Sequence, residues 1–277
     1  MKITNKLGLP QPLVDAVSMR EPSDSYSASM LMQSPRMVWL KRRHFHKVEK
    51  DVSEQIWALF GTAVHGIIEK CETADSIQEA YLSHEIDGVK VTGMADVYEK
   101  GKISDWKTVS VWSLIFLDDA KMLEYESQLN CYAWLYRKAG FDVTGLEIVM
   151  LFRDWQASKA KYDSNYPQSQ VHKLTIKLWS EEQAENHIKE RVQLFEKFKD
   201  TPDDNLPFCT DADRWAKPSK WALMKEGRKS AVKLYDEKPE IQLEPKHYWE
   251  ERKAEQFKRC EYCDAVSFCT QYKEGKQ

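Results

Sequence analysis

The sequence predicts an α/β fold, a mixed central sheet flanked by helices, with a cysteine-stapled segment toward the C-terminus. Three observations predict it. Leu146 to Phe152, LEIVMLF, is continuously apolar, as a strand covered on both faces is. A helical pattern from roughly Met122 to Ala139, closed by Gly140, separates it from an earlier strand, so the connection is a crossover and the pairing parallel. Over Val89, Val91, Gly93, Ala95 and Val97 apolar and small residues alternate instead, the period of a strand with two unlike faces.

At 277 residues the chain can bury a full core, as one large domain or one domain with an appendage. Three parts are expected: an N-terminal arm over 1–25, a core over 26–200, and a C-terminal segment over 201–277 packed on it. The net charge of −3 confines any nucleic-acid contact to local patches. No apolar run approaches membrane-spanning length, and MKITNKLGLPQPLVDAV lacks the apolar stretch of a secretory leader, so no membrane partner and a cytoplasmic, reducing location are expected.

The arm is polar and carries Pro10, Pro12 and Pro22, which predicts loose packing. Ser25 to Ser27 can cap a short helix over ASMLMQS. After Pro35 comes the basic run Lys41 to Lys47; such a run is usually a solvated face, but Arg42, Arg43 and Lys47 also suit DNA phosphates. Ser53 to Cys71 reads as a helix with Ile56, Phe60, Val64, Ile67, Ile68 and Cys71 on an apolar face. His65 and Glu69 share another face, and Gly61-Thr62-Ala63 lets the helix approach a neighbouring backbone closely. Past Leu146 to Phe152, a polar stretch to about Ser169 reads as a surface loop; Leu174, Ile176 and Leu178 alternate as a strand. Ser180 to Gln183 is a capping box opening a helix to about Lys199. Thr201 to Asn205 marks a boundary; beyond it, Trp221 to Met224 and Ala231 to Tyr235 flank KEGRK as a basic-tipped hairpin, and His247 to Phe257 reads as a helix.

The stretch Val91 to Thr108 carries the chemistry. With Lys100-Gly101 as the turn, Glu99 pairs with Lys102, Tyr98 with Ile103, Val97 with Ser104, and Asp96 with Asp105. The aspartates then face each other with Cβ atoms about 5 Å apart, a destabilising arrangement for like charges. A hard divalent cation, Mg²⁺ or Mn²⁺, is the simplest reason for it, and Lys107 on the same face can position water or hold phosphate. The competing reading is a solvated hairpin whose acids face water.

Six cysteines in a reducing compartment read as metal ligands or core residues. Cys260, Cys263 and Cys269 lie within ten residues, and Cys209 is the candidate fourth thiolate for Zn²⁺ or an iron–sulfur cluster. Cys71 and Cys131 fall in helical segments with apolar neighbours.

Together these pieces resemble the PD-(D/E)xK nuclease superfamily, specifically RecB-like exonucleases of phage type. GTAVH (Gly61 to His65) resembles the helix motif with its histidine ligand, GMAD (Gly93 to Asp96) the first acidic motif, Ser104-Asp105-Trp106-Lys107 the D-x-K core, and Gln128 to Tyr132 the Q-x-x-x-Y motif. Ser34-Pro35-Arg36 and Arg153-Asp154-Trp155 stand where the phage enzymes carry SPR and RDW. The resemblance implies a restriction-endonuclease-like core and a Mg²⁺- or Mn²⁺-dependent DNA exonuclease of recombination and repair. It implies metal ligation by His65, Asp96, Asp105 and the Trp106 carbonyl, catalysis by Lys107, and strand contacts by Gln128 and Tyr132. Glu69 is an outer candidate. Iron–sulfur members often carry a cysteine where Ser34 stands here, so a [4Fe-4S] cluster would draw on Cys209 instead, with Zn²⁺ as the other option. A recombinase or single-strand annealing protein is the implied partner. Two other classes stay open: a non-cleaving nucleic-acid-binding module and a zinc-stapled interaction protein.

Overall fold

The computed structural model describes residues 1–17, 21–71 and 73–276, so residues 18–20 of the expected arm lie outside it. The chain forms two compact units, Met1–Gln33 with Arg42–Asp200, and Ser34–Lys41 with Thr201–Gln277. In order, the elements are β1 (Lys2–Thr4), α1 (Gln11–Ala16), β2 (Tyr26–Ser27), α2 (Ala28–Leu31), α3 (Pro35–Arg43), β3 (Glu49–Asp51), α4 (Ile56–Ile68) and β4 (Ser76–Gln78). Then come β5 (Tyr81–Ile86), β6 (Val89–Met94), β7 (Val97–Glu99), β8 (Lys102–Val109), α5 (Trp112–Ile115), α6 (Asp119–Lys138), β9 (Gly145–Phe152), α7 (Ala157–Tyr162), β10 (Val171–Ile176) and α8 (Glu181–Phe198). The chain closes with α9 (Asp211–Arg214), β11 (Lys220–Lys225), β12 (Lys233–Tyr235), β13 (His247–Arg252) and α10 (Thr270–Gly275).

The first unit is a mixed α/β structure. Its main sheet runs β10-β9-β8-β7-β4, with β8 and β9 parallel and the other pairs antiparallel. Helix α6 makes the crossover expected between β8 and β9. Asp118 caps it through Lys121 N–H, and Leu129, Ala133, Trp134, Leu135 and Tyr136 bury its length. Strand β9 is covered on both faces as its apolar run predicts: Ile148, Met150 and Phe152 are buried, and so are Leu146 and Val149. Helix α8 opens on the expected Ser180–Gln183 capping box and packs beside α6. Among the described residues no helix is long and apolar enough to cross a membrane.

Several expectations are corrected here. The alternating run from Val89 to Val97 is not one strand. It breaks at Ala95-Asp96: β6 joins β5 and β2 in a separate three-stranded sheet, while β7 turns into the main sheet. The β7–β8 hairpin keeps the predicted register from Glu99↔Lys102 to Val97↔Ser104, and Lys100 and Gly101 take the positive φ of its turn (48° and 83°). The arm is not uniformly loose: β1 pairs parallel with β3, and Asp51 accepts hydrogen bonds from Lys6 N–H, Thr4 Oγ1 and Ser53. Helix α4 forms, but its apolar face is not a core face, because none of its residues is buried. Cys71 just beyond it is exposed.

In the second unit β12-β11-β13 form a sheet, and the basic-tipped hairpin turns at Gly227, whose φ is 80°. The stretch expected as a helix from His247 is strand β13. Pairing with β11 from Lys220↔Arg252 to Lys225↔His247, and the edge-on packing of Trp249 on Tyr235, override its helical composition. Arg36 is the organising side chain of this unit. At 1% exposure it donates from Nε to Cys269 Sγ (3.3 Å), from Nη1 to the Leu206 carbonyl (2.5 Å) and from Nη2 to Thr270 Oγ1, and it lies over the Phe208 ring.

Candidate active site

Strand β8 presents Asp105 and Lys107 on one face because successive side chains alternate. Asp105 is buried, and Lys107 Nζ lies 2.6 Å from its Oδ2 in an ion pair. That contact lacks the angle of a hydrogen bond, so Oδ2 is a buried carboxylate oxygen without a hydrogen-bond donor among the described residues. Burial raises the Asp105 pKa, Lys107 opposes the shift, and the Asp96 charge adds to it.

Asp96 does not pair with Asp105 in the ladder. It sits in the bend between β6 and β7, where Oδ2 accepts from Trp106 N–H at 2.6 Å. The bend relieves the head-on opposition of like charges that continuous pairing would impose. Oδ1 lies 3.2 Å from His65 Nδ1. This contact raises the His65 pKa, against the opposing effect of partial burial, with Asp105 and Glu79 adding to the rise. Helix α4 packs along β8 and so delivers His65 from its last turn. In an extended strand the N–H and C=O of one residue leave on the same edge, so the Trp106 carbonyl points to the Asp96 side too.

Helix α6 closes the cluster. Gln128 Nε2 donates to Tyr132 Oη at 2.9 Å. Burial raises the Tyr132 pKa, and the Asp105 charge adds to it. Gly93 makes room for this tyrosine, since a Cβ there would meet the Tyr132 ring at 2.9 Å and Leu135 at 2.6 Å.

The predicted residues His65, Asp96, Asp105, Lys107, Gln128 and Tyr132 are thus brought together. Two further residues join them that the sequence did not single out. Tyr125, seven residues before Tyr132 and on the same helix face, is pushed up to about 12 by burial, with Glu124 and then Asp105 adding to it. Its helical spacing was the available signal. Glu79 donates its N–H to the Asp96 carbonyl (3.2 Å) from a left-handed backbone, φ 44°. Its pKa is raised by burial, then by Glu69 and Asp96. Nothing in SIQEAY marked it, because the unusual φ follows from the tight connection between β4 and β5. Glu69 stands on the outer side of this group.

The basic run contributes less than expected. Arg42 donates to the Ser25 carbonyl (2.9 Å) and lies over the Tyr26 ring; Arg43 donates to the Lys199 carbonyl (2.7 Å) at the end of α8. Both are tied to the protein, and only Lys47 of the predicted DNA contacts keeps an exposed side chain without such a tie.

Among the described residues no three His, Cys, Asp or Glu side chains form a ready-made metal cage. One Asp105 oxygen is turned to Lys107 and one Asp96 oxygen is held by Trp106 N–H. The donor chemistry, two carboxylates and an imidazole around a donor-less buried oxygen, still fits a hard divalent cation.

The C-terminal cysteines gather within the second unit. Gln271 clamps the Cys209 backbone with two hydrogen bonds, from Cys209 N–H to Oε1 (2.8 Å) and from Nε2 to the Cys209 carbonyl (2.9 Å). The Cys209 thiol donates to Ser34 Oγ at 3.3 Å. Burial pushes it up to about 11, with Cys269 and Cys263 among the groups adding to the rise. Burial and the neighbouring thiols likewise raise Cys260 and Cys263. Four mutually coupled thiols fit a soft-metal site. Cys131 stands apart, buried in α6 and pushed up to about 12 by burial alone.

Fold and site together define a mixed α/β protein with an acidic, lysine-bearing cluster at the end of a β-hairpin. No family model matches the chain, and no curated protein matches it. A solved structure described as "Crystal structure of SSO0001" superposes with a TM-score of 0.46 at 16% identity, over 69% of this chain and 85% of that one.

Proposed function

We propose that this protein is a metal-dependent deoxyribonuclease of the PD-(D/E)xK type, with a restriction-endonuclease-like core, acting as an exonuclease on DNA. The observation that carries the reading is the meeting of Asp96, Asp105, Lys107 and His65 from three separate elements around a buried carboxylate oxygen that no donor satisfies.

Asp96, Asp105 and His65, with the Trp106 carbonyl, would hold Mg²⁺ or Mn²⁺. Such a cation supplies charge stabilisation at the phosphoryl oxygens and lowers the pKa of water. Lys107, anchored on Asp105, directs a proton-bearing ammonium toward the attacking water or a phosphate oxygen. The Gln128–Tyr132 pair offers donors to the strand beside the scissile bond. Cys209, Cys260, Cys263 and Cys269 would hold a [4Fe-4S] cluster or Zn²⁺, whose binding free energy is folding free energy for the second unit.

The test is cleavage of linear, circular and single-stranded DNA with Mg²⁺, Mn²⁺ or EDTA. Metal-dependent loss of linear DNA, with circles spared, is expected of an exonuclease. Binding without cleavage in any metal would leave a non-cleaving nucleic-acid module, and neither binding nor cleavage would leave a metal-stapled interaction protein.

A further inference from the structure

Helix α4 is apolar along most of its length, yet none of its residues is buried. Trp57 and Phe60 in its first turns are 58% and 47% exposed and pack on each other at 5.5 Å. The Arg153 guanidinium lies 4.3 Å over the Trp57 ring. Arg153 N–H in turn bonds to the Val109 carbonyl (3.0 Å) at the end of β8, and Asp154 holds Ser110 Oγ and Val111 N–H, each at 2.7 Å. The next residue, Trp112, is 51% exposed and stacks nearly parallel on Phe116, itself 72% exposed, at 5.4 Å and 13°. Four exposed aromatic rings and an arginine are therefore fixed around one junction of α4, α5 and β9.

This junction is continuous with the catalytic cluster. Strand β8 carries Asp105 and Lys107 and runs directly into it. Helix α4 carries both Trp57 and His65, eight residues or about 12 Å apart along its axis. A few nucleotides of an extended strand span such a gap. Planar exposed rings interleaved with a cation are the chemistry of single-strand binding: bases stack on the rings without regard to sequence, and the arginine meets the phosphate. A hydrophobic protein partner would not need the guanidinium, which shields one face of Trp57 and adds positive charge.

We propose that Trp57, Phe60, Trp112 and Phe116 form a stacking platform for unpaired bases, with Arg153 on the backbone, so that the strand entering the catalytic cluster is single-stranded. The proposal rests on the deoxyribonuclease reading and adds the form of the substrate to it. A duplex would need its end opened before a strand reached the cluster.

The experiment measures binding of a ~12-nucleotide oligothymidylate and a blunt duplex in EDTA, alongside cleavage of both in Mg²⁺. Wild type is compared with Trp57→Ala, Trp112→Ala and Phe116→Ala. These side chains are exposed, so thermal melting should match the wild type. Each substitution should weaken single-strand binding by about tenfold and reduce the preference for single strand over blunt duplex. An abasic strand of equal length should bind wild type as poorly as the variants bind the intact strand. Unchanged single-strand affinity in all three variants, in a protein that still cleaves DNA, overturns the platform and leaves the nuclease. A wild-type oligomer that dissolves in the variants, with single-strand affinity unchanged, puts a second copy on this face and also overturns it. Absence of any cleavage by wild type in metal is instead the failure of the underlying reading.

Discussion

Replacing Arg36 with alanine should unravel the second unit while leaving the first folded. Arg36 is 1% exposed and gives three bonds within that unit, to Cys269 Sγ, the Leu206 carbonyl and Thr270 Oγ1. A hydrogen bond from a charged donor contributes about 1.5–3 kcal/mol, so three such bonds set an upper range. Removing the guanidinium also removes the cost of burying it, but it strands the Leu206 carbonyl in a residue only 2% exposed. The net loss is then about 3–5 kcal/mol, the usual cost of leaving a buried polar partner unpaired. A unit this small has little stability to spare. Hydrogen exchange read by mass spectrometry is the assay, since it separates the units by peptide. Peptides from 201–276 should lose protection, while those from α6, β9 and α8 keep it. Arg36→Lys should restore little, because an ammonium cannot fork to three acceptors. Wild-type protection over 201–276 in Arg36→Ala would refute the reasoning.

Other expectations follow from single contacts. The Asp51 carboxylate is held well below the usual range, first by Lys6 N–H and then by Ser53. A depressed pKa gives stability that is present above the unfolded value, about 3.9, and is lost as pH falls toward the folded one. Asp51→Asn should therefore lower the melting temperature at pH 7, with the gap to wild type closing on acidification below about 4; a gap independent of pH would contradict this. Gly93→Ala drives a Cβ into Tyr132 and Leu135 and should cost about 1–3 kcal/mol in denaturant unfolding; an unchanged midpoint would mean that α6 yields freely. Lys107→Ala should lower turnover far more than metal affinity, read from a Mg²⁺ titration of cleavage, because the lysine is an ion-pair partner of Asp105 and not a cation ligand. Full rescue by excess Mg²⁺ would contradict that role.

Local periodicity made much of this protein legible in its sequence. The continuous apolar run of β9, the crossover helix α6 and the Lys100-Gly101 turn each follow from short-range rules, and the hairpin register follows from the turn. The sequence could not show the break at Ala95-Asp96. Alternation continues through it, and the choice between two sheets is made by distant partners, β2 and β5 for β6 and β4 and β8 for β7. It misread β13 for a related reason, since the charged composition of that segment favours a helix and its pairing with β11 does not. At the candidate site the chemistry-bearing residues were readable because each lies at a fixed offset within one element. Glu79 was not, because a turn conformation brings it to Asp96. For α4 the apolar pattern was correctly read, but it cannot distinguish a face turned to a core from one left open. Arg42 and Arg43 show the converse, where a basic run that suits phosphate is tied to the protein's own carbonyls.

The central claim is that Asp96 and Asp105 hold a divalent cation that hydrolyses DNA. The most direct measurement is the initial rate of linear DNA degradation in Mg²⁺ by wild type and Asp105→Ala, with DNA affinity measured in EDTA on the same preparations. The account predicts cleavage by wild type that EDTA abolishes. It predicts a rate lower by at least about 10²–10³ in the variant, with DNA affinity and melting temperature within the range of the wild type. A variant that degrades DNA at the wild-type rate, or a wild type whose cleavage is indifferent to EDTA, would contradict it.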